Sequence, residues 1–240
     1  MRRLQAVIIK ELRGYFNTPI AYIAALFFLL FTAVWLYFMQ QFYAANVASL
    51  RGYFSVFPMV YIFLLPALTM RSWAEETRMK TDEILLTLPI RISELVLGKF
   101  FAAFLLISGM LALTIPVPLT LMPMGVFPTG QILSQYIGSL LLAGLGISIG
   151  LCISALSANQ ISAFLLSVIF LLVFTLLWQL TMFAALPQPF SNLLKYLSLH
   201  SHFQGFTKGL IDTRDVSFYL VGTGLFLYFN MKILVLRKWR

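Results

Sequence analysis

Arg71 to Lys99 reads RSWAEETRMKTDEILLTLPIRISELVLGK, and this stretch holds ten of the twenty-five charged residues in a chain of 240. Long segments with almost no charge lie on either side, and the whole chain is 60% hydrophobic, 10% charged and has a mean hydropathy of +0.91. So few charges cannot cover a water-soluble surface of that size, so the chain reads as an all-α integral membrane protein. The charged stretch is then an aqueous loop held at the membrane surface, where another protein can push.

Outward from that loop, six segments supply the roughly twenty apolar residues that a bilayer-spanning helix needs. They are Ile20 to Met39, Phe54 to Met70, Leu95 to Met122, Ile132 to Ala155, Ile161 to Phe183 and Val216 to Leu236. Six spans put both termini on one side. Thirteen bases fall on that side: Arg2, Arg3, Lys10, Arg13, the five from Arg71 to Lys99, and Lys232, Arg237, Lys238 and Arg240. Only Arg51, Lys195, Lys208 and Arg214 lie opposite, so the termini and the charged loop are expected to be cytoplasmic. The third segment carries Pro116, Pro118 and Pro123, which predict a kink near its outer end.

The chain is expected to form one transmembrane domain over residues 1–240, with three accessory parts. Residues 1–18 place Leu4, Val7, Ile8, Leu12 and Tyr15 at helical spacing with bases on the remaining face, the pattern of a helix lying in the interface. Too long for a signal peptide and followed by no cleavage site, the apolar stretch after it reads as an uncleaved first span. Residues 186–215 show two apolar rows, Phe190, Leu193, Leu194 and Leu197, then Leu199, Phe203, Phe206 and Leu210, which predict two short amphipathic helices at the outer surface. Phe203, Phe206 and Leu210 are the candidate outer gate. Asp215 reads as the N-cap of the last span.

Residues 71–94 form the third part, a helical loop. Trp73 suits an anchor at headgroup level, Glu76 and Lys80 form an i, i+4 pair, Thr81 caps a short helix with Asp82 and Glu83 in its first turn, and Pro89 stops it. Ser93, flanked by Ile92 and Leu97, reads as the cap of the third span. Glu75, Glu76, Arg78, Thr81, Glu83 and Pro89 are therefore expected to form or shape a surface for a partner. In the fourth span, Gly146, Gly150 and Ser154 recur four residues apart, which predicts close helix packing.

The missing chemistry is as informative. No phosphate-cradling G-x-x-x-x-G-K-[ST] run occurs, and no ionisable residue is expected mid-span, which disfavours ion coupling within this chain. The lone Cys152 allows no internal disulfide and suits a small buried hydrophobe. His200 and His202 stand at i, i+2, on different helix faces, a poor start for a metal site with Asp212 and Asp215. Bases that flank apolar spans instead of forming one face exclude nucleic acid.

The run AEETRMKTDEILLTLPI resembles the cytoplasmic signature of type-2 ABC transporter permeases, through Ala74, Glu75, Glu76, Thr81, Glu83, Leu85, Leu86 and Pro89. Lys80 stands where that family commonly has glycine, and Asp82 where an apolar residue is usual. Lys10-Glu11, Pro19 and the run LSLHSHFQGFTKGLIDTRDV look like the gliding-motility, GldF-type branch. The resemblance implies a non-enzymatic, exporter-like permease that pairs with a second permease subunit, as a homo- or heterodimer, and is driven by a separate cytoplasmic ABC ATPase. ATP and magnesium would be bound by that partner, and this chain would hold no cofactor. An accessory protein on the periplasmic side is a further expected partner. A second reading makes the chain a mechanotransmitting or anchoring subunit that acts on a periplasmic partner without moving cargo.

Single-cysteine labelling in a Cys152→Ser background is expected to modify cysteines placed at Ser201 and Asn46 from outside the cell, and to spare one placed at Thr81. Outside labelling at position 81 in sealed cells overturns this topology.

Overall fold

The computed structural model describes residues 2–40, 49–81, 91–125, 127–183 and 187–238, and every regular element among them is helical. Amphipathic α1 (Arg2–Asn17) leads through Thr18 into α2 (Pro19–Val34), which opens on a proline whose missing N–H would have had no partner there. It widens into a π-helical turn, Trp35–Met39, where the Trp35 indole N–H donates to the Gly52 carbonyl at 3.0 Å. Short α3 (Arg51–Ser55), then α4 (Phe57–Thr69) and α5 (Arg71–Arg78), follow end to end. α6 (Ile92–Ala112) gives way to α7 (Pro116–Leu121) and a 3-10 turn at Met122–Met124, so the expected kink is present at the prolines. α8 (Thr129–Leu156), α9 (Gln160–Phe183), α10 (Gln188–Leu197), α11 (Leu199–Thr207) and α12 (Thr213–Lys238) complete the chain.

Six helical segments are long and apolar enough to cross a membrane: Pro19–Met39, Phe57–Arg78, Ile92–Leu121, Thr129–Leu156, Gln160–Thr181 and Thr213–Arg237. They match the six segments read from the sequence to within a few residues at most ends. The chief difference is that the second span runs on through the charged helix α5.

Within the bundle α8 is the axle. In its most apolar window 78% of residues are enclosed by protein, against 22% for the fifth and sixth spans, whose outward faces are left to lipid or to a partner. Its small residues explain why. Gly146 meets Leu65 and Gly150 meets Thr69, so a ridge of α4 lies in a groove that any side chain on those two glycines would fill. One turn on, Ser154 reaches the junction of α4 and α5.

Several local readings are corrected. Arg91, not Ser93, caps α6: its N–H donates to Glu94 Oε2 at 3.1 Å, and Ser93 lies inside the first turn. α12 starts ahead of Asp215, with Asp212 Oδ1 accepting the Arg214 N–H at 2.9 Å. Trp73 is buried in the core instead of anchoring at headgroup level. α1 does more than lie in the interface, because Val7 is buried against α6 at Gly98, the glycine that admits it. The outer segment divides. α10 buries no residue and turns Phe190 and Leu193 outward, whereas α11 sinks Leu199, Phe203 and Phe206 into the bundle. Phe206 occupies the notch at Gly138, and Gly209, two residues past the end of α11, has a φ of +86° that suits a helix stop and that other residues adopt only with strain.

Replacing Gly150 with Leu is expected to destabilise the protein by about 1–3 kcal/mol or to prevent folding, the usual result of overpacking, because the new side chain collides with Thr69. Gly224→Ala, where an added methyl group meets no atom within 4 Å, is the control and should not lower stability. Thermal unfolding of the detergent-solubilised protein followed by size exclusion distinguishes the two.

Candidate functional site

The charged helix α5 is fixed directly by α8, α6 and α12, with α1 bracing the end of α4 beside it, and each fixing contact has a physical cause. A junction at Met70 interrupts the ladder between α4 and α5, so backbone groups there need outside partners. Ser154 on α8 supplies them: its Oγ accepts from the Trp73 and Ala74 N–H groups at 3.1 and 3.2 Å, and its hydroxyl donates to the Met70 carbonyl at 3.1 Å. One serine satisfies three backbone groups.

From α6 comes Lys99, about 10 Å along the helix from its start, with only 2% of its side chain exposed. An ammonium ion can be kept there only if its donors are matched, since desolvation of an unpaired charge costs several kcal/mol. All three are matched. Lys99 Nζ donates to Glu76 Oε1 at 2.8 Å, to the Ser72 carbonyl at 2.8 Å and to Glu11 Oε1 at 3.0 Å. It also lies 4.7 Å from the centre of the Trp73 ring, a cation–π contact. Lys99 thereby joins α1, α5 and α6 at a single atom.

Two further contacts complete the clamp. The Arg237 guanidinium near the end of α12 donates from Nη1 to Thr77 Oγ1 at 2.7 Å. From α1, the Tyr15 hydroxyl donates to the Leu68 carbonyl at 3.1 Å, and burial pushes its phenol up to about 12, so it remains a donor at any physiological pH.

The residues expected at a partner surface fall into different places. Glu76 turns inward to Lys99, which replaces the expected pair with Lys80. Arg78 is exposed and Glu75 half-buried, so these two stand closest to a docking role. Thr81 is half-buried, its hydroxyl donating to the Glu76 carbonyl at 3.3 Å. Glu83 and Pro89 lie outside the described residues. Lys80 has φ of +55°, the left-handed region that favours glycine, which is a physical reason for glycine at this corner in the family it resembles.

On the opposite side, the outer-gate candidates separate: Phe203 and Phe206 are core residues, while Leu210 is exposed. The end of α11 is sewn to α8, where the Ser134 hydroxyl donates to the Phe206 carbonyl at 2.6 Å and Gln131 Nε2 to that of Thr207 at 2.6 Å. His202 Nδ1 lies 2.7 Å from Asp215 Oδ1 and its Nε2 is 2.8 Å from the Tyr196 carbonyl. His200 turns away to stack on Trp178, and burial lowers its pKa below the ordinary imidazole value.

Sequence reasoning missed the hub at Lys99. Its signal was present: Glu11 sits within the apolar row of α1, between Ile8 and Tyr15, and an acid in such a row calls for a buried partner. Among comparisons with known proteins, a family model described as ABC-2 family transporter protein matches residues 5–236. No curated protein matches the chain.

Lys99→Met is expected to destabilise by about 3–5 kcal/mol, because it leaves Glu11 and Glu76 facing each other without their cation. Adding Glu11→Gln and Glu76→Gln to that variant should recover much of the loss. Equal melting temperatures for Lys99→Met and the parent protein would rule out a structural hub.

Proposed function

We propose that this chain, which belongs to the ABC-2 family of transporter proteins, works as an exporter-like permease half that dimerises and is driven by a separate cytoplasmic ABC ATPase. As a member of that family with six apolar helices, it is a multi-pass membrane permease subunit of an ABC transporter. The finer reading puts both termini and α5 on the cytoplasmic side of a bacterial inner membrane, follows the gliding-motility branch, and leaves ATP and magnesium to the partner. Dimerisation would use the faces that the bundle leaves uncovered.

The observation that carries the reading is the clamp on α5. A push delivered to residues 71–94 reaches α8 through Ser154, α6 and α1 through Lys99, and α12 through Arg237, each by a hydrogen bond of 3.2 Å or less. A loop that only solvated its charges would need none of these ties. The surface that receives the push is Glu75 and Arg78 beside Thr81, to which the sequence adds Glu83 and Pro89 outside the described residues, and Glu76 acts behind it as the link to Lys99.

Receiving and transmitting can be separated experimentally. A Glu75→Ala, Arg78→Ala pair should insert normally but bind the ATPase more weakly, by up to about thirty-fold, since exposed ion pairs contribute about 1 kcal/mol or less each. Thr77→Val should keep ATPase binding while lowering membrane-dependent hydrolysis, because it breaks the tie to α12. Parental values for both variants in co-purification and hydrolysis assays would reject the coupling role of α5.

A further inference from the structure

Beside the Lys99 hub is a cavity of about 440 Å³ that the clamp does not use. One wall is apolar, built from Ile20 at the start of the first span and Ala67 and Leu68 near the end of α4. The rim is charged, and its charges are not all answered. Glu11 Oε1 and Glu76 Oε1 are taken up by Lys99, but Arg71 Nε and Glu76 Oε2 are buried with no hydrogen-bond partner, and Lys10 and Glu75 line the same rim. A buried guanidinium N–H without an acceptor is costly, and the group that suits a guanidinium's planar donors is a phosphate or carboxylate.

Location narrows the choice. The cavity lies between amphipathic α1 and the ends of the first two spans, the depth at which apolar spans give way to charge and at which phospholipid headgroups lie. The rim is electrically balanced, with Lys10, Arg71 and Lys99 against Glu11, Glu75 and Glu76, so a zwitterion is accommodated better than a net anion. Gly14 borders the space, and a methyl group added there would meet no atom within 4 Å.

We propose that this cavity binds the headgroup of a zwitterionic aminophospholipid from the leaflet on the terminus side, with the phosphate on Arg71 and Lys10, the ammonium towards Glu75, and an acyl chain along Ile20 and Leu68. The site does not depend on an ATPase or on transport. It gives α1 a lipid-filled seam against the bundle, next to the tie that joins it to α5.

The test uses the full-length protein in nanodiscs and native mass spectrometry after delipidation and exchange. With phosphatidylethanolamine the parent protein is expected to keep about one tightly held lipid per chain, and with phosphatidylglycerol to keep it less well. Arg71→Gln should weaken that retention about tenfold or more, the factor expected for losing a charged hydrogen bond. Gly14→Trp, which puts a bulky ring at the border of the cavity where an added β-carbon meets no atom, should lower retention at an unchanged melting temperature. Undiminished retention in the Gly14→Trp protein would overturn the site. Stronger retention of phosphatidylglycerol would overturn the zwitterion assignment, and soluble phosphoethanolamine binding as tightly as the lipid would overturn the lipid itself as the ligand.

Discussion

An ammonium ion held at 2% exposure constrains the whole terminus-side half of this protein. Three acceptors converge on Lys99 and offset its desolvation, and they come from a carboxylate on α1, a carboxylate on α5 and a backbone carbonyl on α5. Such a group contributes less to net stability than an apolar cluster of the same volume, but it tolerates few alternative arrangements. The amphipathic helix, the charged helix and the third span are therefore fixed relative to one another by one atom. Apolar packing adds to this register where Val7 of α1 seats at Gly98 of α6.

The same half of the molecule shows how a membrane protein resolves a break in a helix. Where α4 meets α5, N–H and C=O groups lose their ladder partners, and lipid offers no replacement. Ser154 serves both kinds of group from the neighbouring helix, and it can come so close only because Gly146 and Gly150 have brought α8 against α4. Two glycines and a serine on one face thus convert a packing groove into a mechanical joint. With Arg237 bonded to Thr77, the joint reaches the last span as well.

The far side is built on a different principle. α11 carries no lysine, arginine or carboxylate; it is held by Phe203 and Phe206 in apolar contact and by polar α8 side chains on its last carbonyls. Hydrogen bonds that close a helix end make this segment part of the core, so any opening on this side has to move α11 with α8 or break those bonds. His202, bridging the Tyr196 carbonyl and Asp215, ties the end of α10 to the start of α12 across the same segment.

Composition and periodicity determined that this is a six-span helical membrane protein, because hydrocarbon demands long apolar helices and so leaves a signal that needs no tertiary information. The amphipathic row of α1, the proline break in the third span and the small-residue face of α8 were legible for the same local reason. The tertiary structure alone decided which charges in the loop face inward. Glu75 and Glu76 are neighbours of identical chemistry, and only the position of Lys99, twenty-three residues away on another helix, draws Glu76 into the bundle. It also decided that Phe203 and Phe206 are core residues and not a surface row, since an apolar stripe reads the same whether it meets lipid or protein. A sequence records which side chains avoid water, and the packed chain settles what each of them meets instead.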